Sequence, residues 1–260
     1  MCLIAWNWQP DSETPLVLIG NRDEYYARPA QPMHWWENKP ILAGKDLQAG
    51  GTWLGLSRNG RLAALTNFRQ GNEHRTDAPS RGQLVTDFLE GSLGADAYLA
   101  ALASNEYRYN PFNLLLWDGR TLTGFESRHA RVHHMAPGIG GVSNADFDTP
   151  WPKLVFLKSA LQALLQRPAQ PPAEPALLLL LQNRQQAQDA NLPSTGIAME
   201  RERVLSAPFI AAADYGTRAC SIVRLGQHRA HVDEYSFNAS GPGGHVRFDF
   251  RFDRTGGNAR

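Results

Sequence analysis

Cys2-Leu3-Ile4-Ala5-Trp6-Asn7-Trp8, then the turn-rich Gln9-Pro10-Asp11-Ser12, then Leu16-Val17-Leu18-Ile19-Gly20 open the chain. Short apolar runs parted by turn-favouring residues read as a β-hairpin. The first run begins on a cysteine directly behind the initiator Met1. Aminopeptidases remove an initiator Met when the next residue is small, and removal makes Cys2 the N-terminus. One residue then holds a thiol nucleophile and an α-amine, of ordinary pKa near ~8, that can serve as its base. The other reading of Cys2 is a small hydrophobe at the start of a buried strand, the usual station of a free cysteine.

Outward from this hairpin, residues 21–50 carry Arg28-Pro29-Ala30, Trp35-Trp36 and Lys39-Pro40 without a sustained period. They read as a long loop packed by its own aromatics, and loops of that length usually have a function. Residues 52–56 and 61–67 flank Asn59-Gly60, the strongest short hairpin signal. Ser80-Arg81-Gly82-Gln83 has the pattern of a capping box, with Leu84, Val85, Phe88 and Leu89 following at helical spacing. Residues 112–117 and 121–125 form another hairpin about Asp118-Gly119. Residues 131–144 read as a strand running into Pro137-Gly138-Ile139-Gly140-Gly141, whose spacing fits neither phosphate loop nor dinucleotide fingerprint and suggests turn glycines.

A helix opens near Pro150-Trp151-Pro152 and runs to about Gln166, with Leu154, Leu157, Leu161, Leu164 and Leu165 on one stripe. A proline-rich connector leads to a second helix over 176–188, and 191–209 is polar and irregular. Residues 219–223 read as a strand, and Val246, Phe248, Phe250 and Phe252 alternate with charged residues as in a half-exposed strand. With no repeat and no linker visible, the expectation is one α+β domain over 1–260.

The 260 residues, 42% hydrophobic and 20% charged, suffice for a large core. With 26 basic residues against 25 acidic ones and no basic-aromatic interleaving, nothing recommends a nucleic-acid partner. The longest apolar run, 176–181, falls far short of the ~20 residues that cross a bilayer, so no transmembrane segment is expected. The N-terminus lacks a signal-peptide pattern, and the expected location is cytoplasmic. In a reducing compartment Cys2 and Cys220 argue against a structural disulfide. His133 and His134, adjacent on a strand, would point to opposite faces, so no metal or cofactor is expected to be required.

Asn21-Arg22-Asp23-Glu24, Arg28-Pro29, Gly50-Gly51-Thr52-Trp53-Leu54-Gly55, Leu65-Thr66-Asn67, Ser80-Arg81-Gly82, Val142-Ser143-Asn144, Thr149-Pro150-Trp151-Pro152-Lys153 and Tyr215-Gly216-Thr217-Arg218 follow one another along nearly the whole chain. In content and order they resemble the NRDE family, that of the transport and Golgi organisation protein 2. The resemblance implies an N-terminal nucleophile (Ntn) hydrolase-like fold: α+β, a four-layer αββα sandwich of two antiparallel sheets between helices. The enzymatic relatives it implies are choloylglycine hydrolase, penicillin V acylase and acyl-coenzyme A:isopenicillin N acyltransferase.

By order and motif, the roles of those cysteine hydrolases fall on Cys2 as nucleophile, Arg22 and Arg218 as flanking cations, Asp23 as the group that orients the α-amine, and Asn67 and Asn144 as oxyanion donors. Cationic neighbours lower a thiol pKa, and an oxyanion donor is worth ~3 kcal/mol. One spacing departs from the pattern: the hydrolases place the Asp three residues beyond the Arg, whereas Asp23 follows Arg22 immediately. Adjacent strand residues face opposite ways, so both reach Cys2 only if the strand ends or bulges there; Asp23 and Glu24 therefore compete for the orienting role.

Each residue also has a structural reading. Arg22, Asp23 and Glu24 make an ion-pair network, Asn67 and Asn144 cap turns, Arg218 faces solvent, and Trp35, Trp36 and Trp53 are core or pocket wall. Two function classes follow. One is a hydrolase or acyltransferase acting on a small-molecule amide or thioester. The other is a non-catalytic carrier of haem or of acyl-CoA and lipid, reusing the same cleft, in which a thiolate could ligate haem iron.

Overall fold

The computed structural model describes residues 2–69, 71, 75–166 and 173–253. Strands β1 (Cys2–Trp8) and β2 (Leu16–Tyr25) form the expected hairpin, paired from Trp8↔Leu16 to Cys2↔Arg22. Along β1, Ile4, Trp6 and Trp8 face one core while Leu3 and Ala5 face another. A strand buried on both faces needs an apolar residue at nearly every position, which is why this stretch reads as a run rather than an alternation.

Beside the hairpin lie β10 (Gly138–Val142), β11 (Tyr215–Leu225), β12 (Arg229–Asn238) and β13 (Gly241–Arg251), completing a six-stranded sheet in the order β10-β1-β2-β11-β12-β13. The second sheet is a seven-stranded antiparallel meander in chain order. Its strands are β3 (Ala30–Trp35), β4 (Ile41–Asp46), β5 (Leu54–Ser57), β6 (Leu62–Asn67), β7 (Phe112–Trp117), β8 (Leu122–Glu126) and β9 (Arg131–His134). Between the sheets pack Trp6, Trp8 and Leu18 from the first and Leu54, Leu56 and Trp117 from the second.

Helices α1 (Gly82–Glu90) and α2 (Ala95–Leu102) cover the outer face of the second sheet, with Leu84, Phe88 and Leu99 against Ile41, Phe112 and Phe125. Helices α3 (Pro152–Leu165) and α4 (Glu174–Leu181) cover the first, with Leu154, Leu157 and Leu177 against Leu3, Ile19 and Ile222. Each such buried side chain contributes on the order of 1.5–3 kcal/mol relative to exposure. Helix α5 (Met199–Leu205) packs through Leu205 on Ile210 and Tyr215. The layers are therefore α, β, β, α, the α+β four-layer sandwich the resemblance implies. No helix among the described residues is long and apolar enough to cross a membrane.

Several local expectations are corrected. Residues 21–50 are not a long loop: β2 runs on to Tyr25, and β3 and β4 form a hairpin. Pro32 sits in β3, the edge strand of its sheet, where a missing N–H costs little, and the bulge between Gln31 and His34 broke the period that would have revealed the strand. Residues 131–144 divide into β9 and β10, which belong to different sheets. The glycines of β10 serve close packing rather than a turn: a Cβ on Gly140 would stand 2.5 Å from the Trp6 ring, and one on Gly141 2.6 Å from Leu154.

Ser80 gives α1 no side-chain cap. Helix α4 ends at Leu181 rather than near Gln188, because the Asn183 carbonyl turns to accept from Phe209 N at 2.8 Å. Short α2 and α5, carrying few apolar residues in register, were not expected. Part of the proline-rich connector, 167–172, lies outside the described residues.

Candidate functional site

Where β1 begins and β2 and β6 end, both sheets and the segment before α1 enclose a cleft of about 890 Å³. Cys2, Ile4 and Trp6 share the inter-sheet face of β1, yet only Cys2 lines the cleft; it is 6% exposed, against 0% and 1% for the others. Cys220, paired with Asn21, points to the opposite, helix-covered face. Burial pushes the Cys2 thiol up to about 11 in the full chain. The positive chain terminus opposes this most; Asp23 adds to the rise, Arg22 opposes it and Glu24 adds less.

Arg22 lies opposite Cys2 in the β1–β2 ladder, on the same face. Its Nη2 donates to Asp46 Oδ2 at 3.2 Å, and Arg28 Nε donates to the same oxygen at 2.6 Å. Hydrogen bonds from Arg28 and Ala49 N hold the Asp46 carboxyl below its ordinary value despite partial burial. Glu24 lies 3.9 Å from both guanidinium groups. The ion-pair network therefore joins Arg22 and Glu24 to Arg28 and Asp46, without Asp23, along the wall of the cleft that holds Cys2.

Strand β2 does not end or bulge at Arg22-Asp23. The irregularity lies in β11, where Arg218 is the extra residue between the pairs Thr217↔Asp23 and Ala219↔Arg22. Asp23 thus leaves the sheet on the face opposite Arg22, 1% exposed, with Oδ1 accepting from the Thr217 hydroxyl at 2.7 Å. Burial raises its pKa, opposed first by Lys153 and then by the positive chain terminus. Both Asp23 and Glu24 line the cleft, Glu24 with its Oε1 accepting from Tyr25 N.

Asn67 ends β6 and lines the cleft. Asn144 does not line it: it is fully buried behind Asn67, and its Nδ2 donates to the Asn67 carbonyl at 3.0 Å and to Asn67 Oδ1 at 3.2 Å. With Oδ1 occupied, Asn67 Nδ2 is the amide end without a hydrogen bond among the described residues. Of the expected pair of oxyanion donors, the geometry leaves Asn67 facing the cleft and makes Asn144 its support. Ser143 joins the same loop to β1 by donating to the Cys2 carbonyl at 3.4 Å.

Arg218 lines the cleft but spends its guanidinium on the carbonyls of Tyr25, Arg28 and Phe237, at 3.0, 3.0 and 3.1 Å. It braces the end of β2. A guanidinium that the sequence reading did not single out, that of Arg81, lines the cleft and donates to the Pro111 carbonyl at 2.9 Å. Burial lowers its pKa, and Cys2 is the first group to oppose that fall. The signal was present in Ser80-Arg81-Gly82, but the capping-box pattern hid it: Arg81 stands at the start of α1 because Gly51 and Gly82 cross there, a Cβ on Gly51 falling 2.5 Å from the Gly82 carbonyl carbon.

Trp53 is both core and cleft wall, whereas Trp36 belongs to the α1–α2 core and Trp35 stacks edge-on against Phe250. Six arginines line the cleft against four carboxylates, a field that favours an anionic or electron-rich ligand. Among the described residues no group of three or more His, Cys, Asp or Glu is placed to hold a metal ion. His133 meets Glu126 at 2.9 Å, while His134 stands 3.7 Å from Asp96.

The family model described as "Transport and Golgi organisation 2" matches residues 1–236. The Bos taurus Transport and Golgi organization protein 2 homolog is 35% identical over 247 residues, covering 86% of this chain and 88% of the relative. The Homo sapiens homolog is 33% identical over 246 residues, with the same coverage of 86% and 88%. The Drosophila melanogaster protein is 25% identical over 293 residues, covering 96% and 99%. Among solved structures, the Caenorhabditis elegans N-acylethanolamine-hydrolyzing acid amidase ortholog aligns at a TM-score of 0.45 and 11% identity over 69% of this chain and 85% of that one. A mutant conjugated bile acid hydrolase from Clostridium perfringens aligns at 0.44 and 11% over 100% and 95%.

Proposed function

The chain belongs to the Transport and Golgi organisation 2 family, and from that premise we propose that it is a cysteine hydrolase or acyltransferase whose nucleophile is Cys2, exposed by removal of Met1. The Cys2 amine takes the thiol proton as sulfur attacks the carbonyl of an amide or thioester. Asn67 Nδ2 and the Arg81 guanidinium meet the developing oxyanion. The tetrahedral intermediate collapses to an acyl-enzyme as the leaving amine or thiol departs with the proton from the Cys2 ammonium. Water, or a second acceptor, then attacks the acyl-enzyme with the amine again as base.

The observation that carries this reading is the placement of Cys2: first residue of a core strand, at the cleft, directly paired with Arg22. Mass spectrometry tests it. The N-terminal peptide of untagged protein should begin at Cys2 with a free amine, and incubation with a panel of amides and thioesters should add one acyl group to that peptide. Cys2→Ala retaining full turnover would overturn the mechanism.

One observation favours a second reading. With Met1 in place the thiol is pushed up to about 11 and is neutral at physiological pH, in a large arginine-rich cleft. Such a cleft suits a carrier of haem or of acyl-CoA and lipid, serving trafficking rather than turnover. Retention of Met1 in the isolated protein decides for that reading, since Cys2 then has no amine of its own.

A further inference from the structure

We propose that β13 is a dimerisation edge: two copies of this chain join antiparallel through it about a two-fold axis at Phe248, making one continuous sheet. The inference is independent of the Cys2 chemistry. An edge strand presents unpaired N–H and C=O groups, which proteins blunt by shortness, proline or bulges. Three of the four sheet edges are blunted so: β9 has 4 residues, β10 has 5, and β3 carries Pro32 and a bulge. The remaining edge, β13, is 11 residues long, and its ladder with β12 is regular from His245 to Arg251. Val246, Phe248 and Phe250 lie half-buried against the inter-sheet core, with Phe250 edge-on to Trp35 at 4.9 Å, while Arg247, Asp249 and Arg251 are exposed on the other face.

Charge complementarity selects a second copy as the occupant, and it selects the register. Directly opposed residues share a face, so only a two-fold axis through a residue keeps the apolar face continuous. Axes before Arg247 draw Pro242 and the irregular start of β13 into the ladder. An axis at Arg247 sets that guanidinium against its own copy, one at Asp249 sets Arg247 against Arg251, and axes beyond leave at most 249–251 paired. The axis at Phe248 pairs 245–251 with 251–245, stacks Phe248 on its copy and sets Arg247 opposite Asp249 on both sides. Both residues already belong to charged rows: Arg247 Nε donates to Asp233 at 2.6 Å, and Asp249 accepts from Arg229 at 2.6 Å and meets His231 at 3.2 Å. Across the axis the row Asp233, Arg247 continues into Asp249 and His231 of the second copy, alternating in sign. A strand that carried one sign of charge would repel its copy in every register; this one does not.

Sedimentation velocity of the full-length protein tests the proposal. One strand pair falls at the low end of specific interfaces, below ~1,200 Å², so association is expected at micromolar concentration, the mass rising from one chain to two. Phe248→Glu sets two carboxylates together on the axis and should stay at one chain mass, with circular dichroism unchanged. The register is read separately by oxidation with diamide, which takes the hydrogens of two thiols as their disulfide forms. Phe248→Cys should cross-link to a dimer, because its Cα meets its own copy at about 4.5–5.5 Å, within disulfide reach. Arg251→Cys should not, because its copies stand about 20 Å apart along the strands, and neither should wild type. Wild-type protein that keeps one chain mass overturns the inference, as does a dimer that survives Phe248→Glu. Should Phe248→Glu fail to fold, the cysteine variants decide: no cross-link through Phe248→Cys, or an equal one through Arg251→Cys, overturns the inference.

Discussion

Cys2 and Arg22 are a directly paired couple across the β1–β2 ladder, so both side chains leave the sheet on the face that meets the second sheet. The pairing places a cation beside the thiol through backbone register alone. Side-chain order then comes from Asp46, which anchors Arg22 and Arg28 together.

Chain processing should control thiol reactivity. In protein that keeps Met1, the rate of Cys2 alkylation is expected to rise about tenfold per pH unit from pH 7 upward, without a plateau until about 11. In protein that begins at Cys2 the inflection should lie at lower pH. Mass spectrometry of the N-terminal peptide after timed iodoacetamide exposure checks both.

Arg22→Met removes one of the cations that oppose the rise of the thiol pKa, after the chain terminus, so the inflection should move to higher pH and alkylation at pH 8 should slow. Asp46 keeps Arg28, so the melting temperature should change by only a few degrees. A rate equal to wild type at pH 8 would place the cation that matters elsewhere, with Arg81→Met the next variant to measure.

Asn144 is expected to act through Asn67. Asn67→Ala and Asn144→Ala should each lower acyl transfer by ~10²-fold, and the double variant should be little worse than either alone, the mark of residues that work as a unit. Asn144→Ala should in addition cost about 1 kcal/mol of stability, because it removes the donor to two acceptors of the half-buried Asn67. Additive losses in kcat/KM would mean that Asn144 reaches the substrate itself.

Gly51→Ala tests the crossing that seats Arg81. A methyl 2.5 Å from the Gly82 carbonyl carbon can be accommodated only by moving backbone. The expected cost is about 1–3 kcal/mol, a fall of several degrees in melting temperature, with weakened ligand binding in the cleft. Calorimetry and a binding titration check it.

Glu126→Gln probes the support behind the Asn144 loop. Glu126, 1% exposed, accepts from Phe147 N at 2.8 Å and from Arg131 at 2.6 and 2.9 Å. Contacts with His133, Arg131 and Phe147 N hold its carboxyl below the ordinary value despite burial. A depressed carboxylate contributes stability that is present above its unfolded pKa and is lost as pH falls through its folded one. Glu126→Gln should therefore cost about 1–3 kcal/mol at pH 7 and converge with wild type in strong acid, read from urea unfolding at both pH values.

The first hairpin, the Asn59-Gly60 turn and the leucine stripe of α3 were legible because each rests on short-range chemistry: an apolar run, a turn residue with positive φ at Gly60, and a 3.6-residue period. Family order carried the reading further, to the four layers and to the residues around Cys2. What the sequence by itself determined is therefore a nucleophile candidate at the head of an apolar strand, and the hairpin that strand opens.

The tertiary structure alone decided which side chains share the cleft. Side chains alternate across a strand, so Arg22 and Asp23, neighbours in the chain, stand on opposite faces of the sheet, one with Cys2 and one against the Thr217 hydroxyl. Arg81 and Asn67 reach the cleft from the other sheet's side, and Asn144 was withdrawn behind Asn67 by a pairing across 77 residues. No local period records such placements: they follow from how the two sheets stack, and stacking depends on packing between residues that the chain keeps far apart.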